Sequence, residues 1–432
     1  MSWWWRRATG VPAHQPVTQD DDDEQQAAHD GQFRSVALVV GATGIVGSSL
    51  VSILPLPDTP GGPWKVYALS RRPLPPWASS SSDHHVTHLQ VDLTDSTAVA
   101  AALAPLTDIT HVFYVALSTS HVIESLNRRS NPAMLRNVLS VVVPNCPALA
   151  HVSLQTGIKH YTGPPLALTA RLISGILRGI IIIISSSSSS SSSSAASGRL
   201  RPPYTEDMPR LGWRNFYYDQ EDVLLDAISQ PQRGGDVISW SVHRPNLIFG
   251  ISPRSAMNIV FSLCVYASIC RKEGVALRWP GSQGAWEGYS MASDADLVAE
   301  QHIWAAVDPM AKNEAFNCSN GDIFRWEQLW PILADRFGLE WVGYEGEKKR
   351  AMLAWAMPRK ADVWAQIVEE NQLVATQVQD VNWWFVDGLL GTNWEFLDSM
   401  NKSKEHGFLG FRNTAKSFDT WIDRMKACKI VP

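Results

Sequence analysis

Between Ser35 and Gly250 the hydrophobic and polar positions fall into a repeated order. Short, largely apolar runs at Val36–Val40, Lys65–Ser70, Val86–Val91, His111–Val115 and Ala150–Leu154 are separated by stretches with apolar residues at helical spacing. An apolar run without alternation is what a strand buried on both faces of a parallel sheet presents. The intervening stretches predict helices over Ser48–Leu54, Thr97–Leu103 and Asn131–Val143. A sixth strand, Val237–Val242, follows a helix over Tyr217–Ile228. Strands alternating with helices predict right-handed βαβ units and a doubly wound, Rossmann-type parallel sheet of the α/β class.

Past Gly250 this regularity weakens and aromatic residues accumulate. Residues 251–432 are therefore expected to form a smaller substrate-covering region over the carboxyl edge of the sheet, where ligands of such sheets bind. The chain closes on a helix over Ala415–Ala427, with Phe418, Trp421, Ile422 and Met425 at helical spacing. Two segments stand apart. Residues 1–34 are polar, carry the acidic run Asp20–Glu24 and read as a disordered arm. The isoleucine run Ile180–Ile184 passes directly into Ser185–Ser194, and homopolymers in series specify no unique packing. A disordered insertion over 166–200 is expected there, inside a nucleotide-binding domain of residues 35–250.

Composition narrows the classes. A formal net charge of −5 leaves no basic face for nucleic acid. Five scattered cysteines without a C-x-x-C pair give neither a disulfide framework nor a zinc site, and predict a reducing, cytoplasmic compartment. No segment offers about 18 uninterrupted apolar residues, so no membrane span is expected. The 19 tryptophans point to a large aromatic core with some pocket lining.

The first chemical motif is Gly41-Ala-Thr43-Gly44-Ile45-Val-Gly47, directly after a strand and opening a helix. Glycines let the backbone approach a pyrophosphate, and the helix N-terminus turns N–H groups and a positive dipole end towards it. The G-x-x-G-x-x-G spacing points to extended short-chain dehydrogenases. At the end of the second strand stand Arg71 and Arg72, where an NAD-preferring enzyme places an acid for the ribose hydroxyls. Two guanidiniums suit a 2′-phosphate instead, which makes NADPH the expected cofactor. Asp92, after the third strand, is placed to meet the adenine or to cap the next helix.

The usual Tyr-x-x-x-Lys dyad is not found where the topology requires it. Asn215-Phe-Tyr217-Tyr-Asp-Gln-Glu221-Asp222 offers a tyrosine, and Lys159, just past the fifth strand, offers a lysine. The residues alone leave open whether this tyrosine packs or catalyses.

Longer stretches bear on that choice. Met1-Ser-Trp-Trp-Trp5, Gly41–Gly47, Thr59-Pro-Gly-Gly-Pro-Trp-Lys65, Ser153–Tyr161, Asn215–Asp222, Ser241-Val-His-Arg-Pro245 and Leu397–Phe411 resemble the plant progesterone 5β-reductase/iridoid synthase family, atypical extended short-chain dehydrogenases. The resemblance implies that Tyr217 and Lys159 are a separated catalytic pair. It further implies cofactor contacts from Thr43, Gly44, Ile45, Arg71, Arg72, Asp92, Leu93, Ala116, Gln155, Ile248 and Ser255, Ala256 and Met257. The implied reaction is hydride transfer from NADPH to the β-carbon of a small-molecule enone, in a cytoplasmic protein that can pair as a homodimer. Reduction of a linear dialdehyde, and a nucleotide-binding protein without useful turnover, stay open beside it. The chain departs from the family at Leu117, at Asn246-Leu247, and at Gly163-Pro164-Pro165, where an aromatic loop would line the substrate pocket. Trp383, Trp384 and Phe385 are expected either to wall that pocket or to pack in a helix core.

Overall fold

The structure is a computed structural model describing residues 33–75, 85–118, 124–162, 200–229 and 237–432. The arm up to residue 32, the Gly163–Pro165 loop and the isoleucine–serine tract lie outside the described residues.

The expected strands are present: β1 (Ser35–Val40), β2 (Trp64–Ser70), β3 (Val86–Gln90), β4 (His111–Tyr114), β5 (His151–Gln155) and β6 (Ser239–Pro245). Beyond them come β7 (Leu247–Phe249), β8 (Ala292–Asp294) and β9 (Glu314–Cys318). Among the described residues, seven strands form one sheet in the order β9-β6-β5-β4-β1-β2-β3. Every pair in it is parallel. β9 comes from beyond Gly250, where the sequence pattern predicts no further strand. Its polar Asn317 hides the signal: the residue is fully buried, and its side chain accepts from the Tyr161 hydroxyl and donates to the carbonyl of Tyr204.

β1 shows why the sheet has two covered faces. Val36, Leu38 and Val40 point into one apolar layer, and Ala37 and Val39 into the other. That is the period of two expected of a strand buried on both sides. The first layer is closed by α2 (Ser96–Leu103), α3 (Glu124–Asn145) and α5 (Phe216–Ile228) through Val99, Leu135, Val138 and Leu224. The second is closed by α1 (Ile45–Ile53) and α7 (Ala295–Val307) through Val46, Leu50, Val298 and Ile303. A one-turn helix, α4 (Lys159–Thr162), follows β5.

A separate aromatic core gathers the rest of the chain around α6 (Ile259–Glu273), with Trp279, Trp326, Trp330, Trp364 and Trp421 buried in it. α8 (Trp326–Arg336), α9 (Ala361–Glu370), α10 (Trp383–Leu390) and α11 (Thr414–Ala427) pack there. No helix among the described residues is long and apolar enough to cross a membrane.

Candidate active site

The strand order reverses between β1 and β4, and a crevice at such a point is where nucleotides bind in doubly wound sheets. The glycine turn sits there. Gly41 has φ +100°, and a Cβ on it would lie 2.7 Å from the Ala116 nitrogen at the end of β4. A Cβ on Gly47 would lie 2.1 Å from the Gly41 carbonyl oxygen, so helix and strand close to this distance only without a side chain. Gly44 caps α1 in extended conformation with no side-chain cap, and α1 begins at Ile45, three residues before the periodicity predicts. The first-turn N–H groups of a helix have no partner within it, so here they open into the motif itself.

A second segment docks beside this turn. The Ser252 hydroxyl donates to the Thr43 carbonyl at 3.0 Å, and Asn258 holds the carbonyls of Gly250 and Ser252 at 2.9 and 3.2 Å. Ser255, Ala256 and Met257, partly exposed, follow this docked segment. Ile248 stands in β7, which pairs with β8, and packs partly buried between the α1 layer and the aromatic core.

Arg71 and Arg72 leave the end of β2, and Arg72 Nη1 reaches the Arg254 carbonyl at 3.4 Å. Burial lowers the pKa of Arg72 from its ordinary value, and the guanidiniums of Arg71 and Arg254 lower it further, against Asp380. Three like charges held this close favour an anion between them. Arg254 has no sequence signal, because 182 residues separate it from Arg72. Asp92 accepts from the N–H and hydroxyl of Thr94 at 2.9 and 2.8 Å, and these bonds hold its carboxyl below its usual range. It therefore shapes a turn, while the cap of α2 is Asp95, which accepts from Thr97 and Ala98. Leu93 is buried, its carbonyl tied to Asn137. At the exit of β5 the Gln155 side-chain oxygen is buried without a hydrogen-bond partner among the described residues. Backbone-filled Cβ positions, open helix N–H groups and an unsatisfied amide oxygen together fit a dinucleotide.

Tyr217 and Lys159 both neighbour the segment that follows β5 and the Phe216 ring. Tyr217 is 5% exposed, and its hydroxyl lies 3.2 Å from where a Cβ on Gly157 would be. Lys159 Nζ stands 6.0 Å from the centre of the Phe216 ring, which itself lies 4.3 Å from that of Tyr217. The departures are also placed. Asn246 donates to the Asp398 carboxylate at 2.6 Å and to the Phe396 carbonyl at 2.8 Å, so it ties the turn between β6 and β7 to the C-terminal segment. Burial raises Asp398 to about 6. Leu117 is exposed. Trp383 is buried, its indole donating to the Val378 carbonyl, while Trp384 and Phe385 are partly buried against the aromatic core.

Comparison with known proteins decides the family: a PRISE-like Rossmann-fold domain matches residues 192–432, more than half of the chain. The chain belongs to the PRISE-like Rossmann-fold family. A match to the NAD dependent epimerase/dehydratase family covers residues 37–153 of the same fold. Among PRISE relatives, the 3-oxo-Delta(4,5)-steroid 5-beta-reductase of Arabidopsis thaliana is 51% identical, with 100% of both chains covered. An (S)-8-oxocitronellyl enol synthase of Nepeta cataria is also 51% identical over 100% of both. That of Catharanthus roseus is 45% identical with the same cover. The chain is thus a PRISE-family enzyme, 5β-reductase-like. Among solved structures, the UDP-glucose 4-epimerase of Thermotoga maritima aligns at TM-score 0.57 and 12% identity, over 91% of this chain and 99% of that one. The terminal R domain of the myxalamid pathway aligns at 0.58 and 12%, over 93% of each. At such identities the likeness is one of fold.

Proposed function

We propose that this chain is an NADPH-dependent reductase of the C=C bond of activated enones, taking Δ4-3-ketosteroids such as progesterone, and small enones, by 1,4-addition of hydride. The observation that supports the proposal is that the Tyr217 hydroxyl lies against Gly157, two residues before Lys159, while Asn215 bonds the backbone of both residues past the end of β5. NADPH, when bound, supplies the hydride. Gly41, Thr43, Gly44, Ile45 and Gly47 would hold its pyrophosphate against the N-terminus of α1. Arg71 and Arg72, joined by Arg254, would hold the 2′-phosphate by charge and by bidentate hydrogen bonds. Asp92 and Leu93 would flank the adenine, and Ala116, Gln155, Ile248 and Ser255–Met257 would line the remainder.

As the β-carbon of the substrate gains hydride, negative charge develops on its carbonyl oxygen. The Tyr217 hydroxyl donates to that oxygen, an interaction stronger in the transition state than in the ground state. The Lys159 ammonium would orient this hydroxyl or lower its pKa by proximity of charge. The α-carbon then takes its proton from solvent. Tyr217→Phe is expected to retain NADPH binding and lose about 100-fold or more in turnover, the usual worth of one oxyanion donor; turnover equal to wild type would refute the assignment.

A second reading has its own support, in (S)-8-oxocitronellyl enol synthase relatives at identities equal to that of the steroid reductase. NADPH oxidation with progesterone, a small cyclic enone and a linear dialdehyde separates the two. Cofactor binding without oxidation by any of the three would instead indicate a catalytically impaired binding protein.

A further inference from the structure

When a catalytic tyrosine and lysine share one helix four residues apart, helical geometry fixes their spacing. Tyr217 and Lys159 have no such link, so something else must set one against the other. We propose that Asn215 is the positioning residue that registers Lys159 against Tyr217; this rests on the catalytic reading of that pair.

Asn215 is 5% exposed, and its side-chain amide works in two directions. Its oxygen accepts from the Tyr217 N–H at 3.0 Å, as the N-cap of α5. Its nitrogen donates to the Lys159 carbonyl at 2.8 Å, across 56 residues of chain. A one-turn helix such as α4 cannot fix its own orientation, because nucleation is costly and its carbonyls have no partners within it. α5 and its cap supply those partners. Asn215 takes the Lys159 carbonyl, and the Tyr218 hydroxyl donates to the His160 carbonyl at 2.5 Å. Glu221 stands 3.3 Å from His160 Nδ1. Tyr218 and Glu221 hold His160, whereas Asn215 alone of the three contacts both reacting residues' own backbone. Other bonds anchor α4 to β6 and β9, through Ile158 to the Pro245 carbonyl and Tyr161 to Asn317, but the Asn215 amide is the side chain that joins the Lys159 backbone to the start of the helix carrying Tyr217.

Asn215→Ser and Asn215→Asp separate this role from capping. Serine, aspartate and asparagine cap about equally well, but aspartate has no donor and the serine hydroxyl ends one bond short of the asparagine amide, so neither replacement keeps the bond to the Lys159 carbonyl. With full-length protein, four quantities are measured: melting temperature, NADPH affinity by fluorescence titration, kcat and KM with a small cyclic enone, and the pH profile of kcat. Both variants are expected to melt within a few degrees of wild type, bind NADPH within about twofold, and lose kcat by about 10- to 100-fold, the scale of an ångström-sized misplacement. In Asn215→Ser, which adds no charge, the basic limb of the kcat profile is expected to move to higher pH, because a displaced Lys159 no longer lowers the Tyr217 pKa. Unchanged kcat in both variants, with Tyr217→Phe inactive, would overturn the role of Asn215 and leave the catalytic pair standing. A fall in kcat that tracks the melting temperature, with the pH limb unmoved, would overturn it too, as mere structural damage. Full activity of Tyr217→Phe would remove the pair and this inference together.

Discussion

Beneath the site, β5, β6 and α7 are joined by a buried polar zipper whose histidines must stay neutral. His151 Nε2 meets the Ser241 hydroxyl at 2.8 Å, Ser241 meets His243 Nε2 at 3.0 Å, and Ser153 meets His302 Nδ1 at 2.7 Å. The rings of His243 and His302 lie 3.9 Å apart. Gln301 spends its amide hydrogens on the Asn317 carbonyl and the Ser403 hydroxyl, so its oxygen accepts from His243 Nδ1 at 2.8 Å. With Nδ1 donating to Gln301, His243 Nε2 accepts from the Ser241 hydroxyl in the neutral ring, which is buried away from any water that would solvate a second proton. Burial accordingly lowers His243 from 6.5 to about 4. The sign follows. Above pH 6.5 folded and unfolded chains are both neutral at this residue, and the full stability is present. As pH falls below 6.5 the unfolded chain takes up a proton that the folded one refuses, and stability is lost until about pH 4. At pH 5 the loss spans about 1.5 pH units at about 1.4 kcal/mol each, or about 2 kcal/mol from this one side chain. His243→Gln has no such proton, so its stability is expected to fall by about 2 kcal/mol less between pH 7 and pH 5 than that of wild type. Equilibrium urea unfolding at both pH values, followed by tryptophan fluorescence, reads the difference. Comparing two proteins cancels the cost of the substitution itself. It also cancels groups that titrate in the opposite sense, such as Asp398, raised by burial to about 6. Parallel losses in the two proteins would refute the neutral-zipper account.

The remaining expectations concern the cofactor. Gly47→Ala places a Cβ 2.1 Å from the Gly41 carbonyl, and should weaken NADPH binding at least about tenfold in fluorescence titration, since backbone on both sides must shift. Arg71→Ala with Arg72→Ala should weaken NADPH by about 10- to 100-fold per lost charge-assisted hydrogen bond while leaving NADH affinity nearly unchanged, because only the 2′-phosphate contact is removed. Equal losses for both nucleotides would place the arginines elsewhere.

Much of this protein is written in its local sequence. Unbroken apolar runs such as Val36–Val40 mark strands buried on both faces, because a parallel sheet gives such a strand no solvent side. The glycine turn is legible because a close approach to backbone tolerates only glycine, and Arg71-Arg72 because charge at a strand end is read directly. Features that depend on distant partners are not legible. β9 carries a polar asparagine in the sheet that is tolerated only because Tyr161 and Tyr204 satisfy it. Arg254 meets Arg72 only when the loop after β7 folds against the glycine turn. Tyr217 and Lys159 are recognisable as residue types, yet only the folded chain sets Asn215 against both, accepting from the Tyr217 N–H and donating to the Lys159 carbonyl across 56 residues. Local pattern fixes which backbone is buried, since burial follows from apolar periodicity. Only tertiary structure decides which polar groups face one another, because a hydrogen bond across the fold leaves no periodic trace in the sequence.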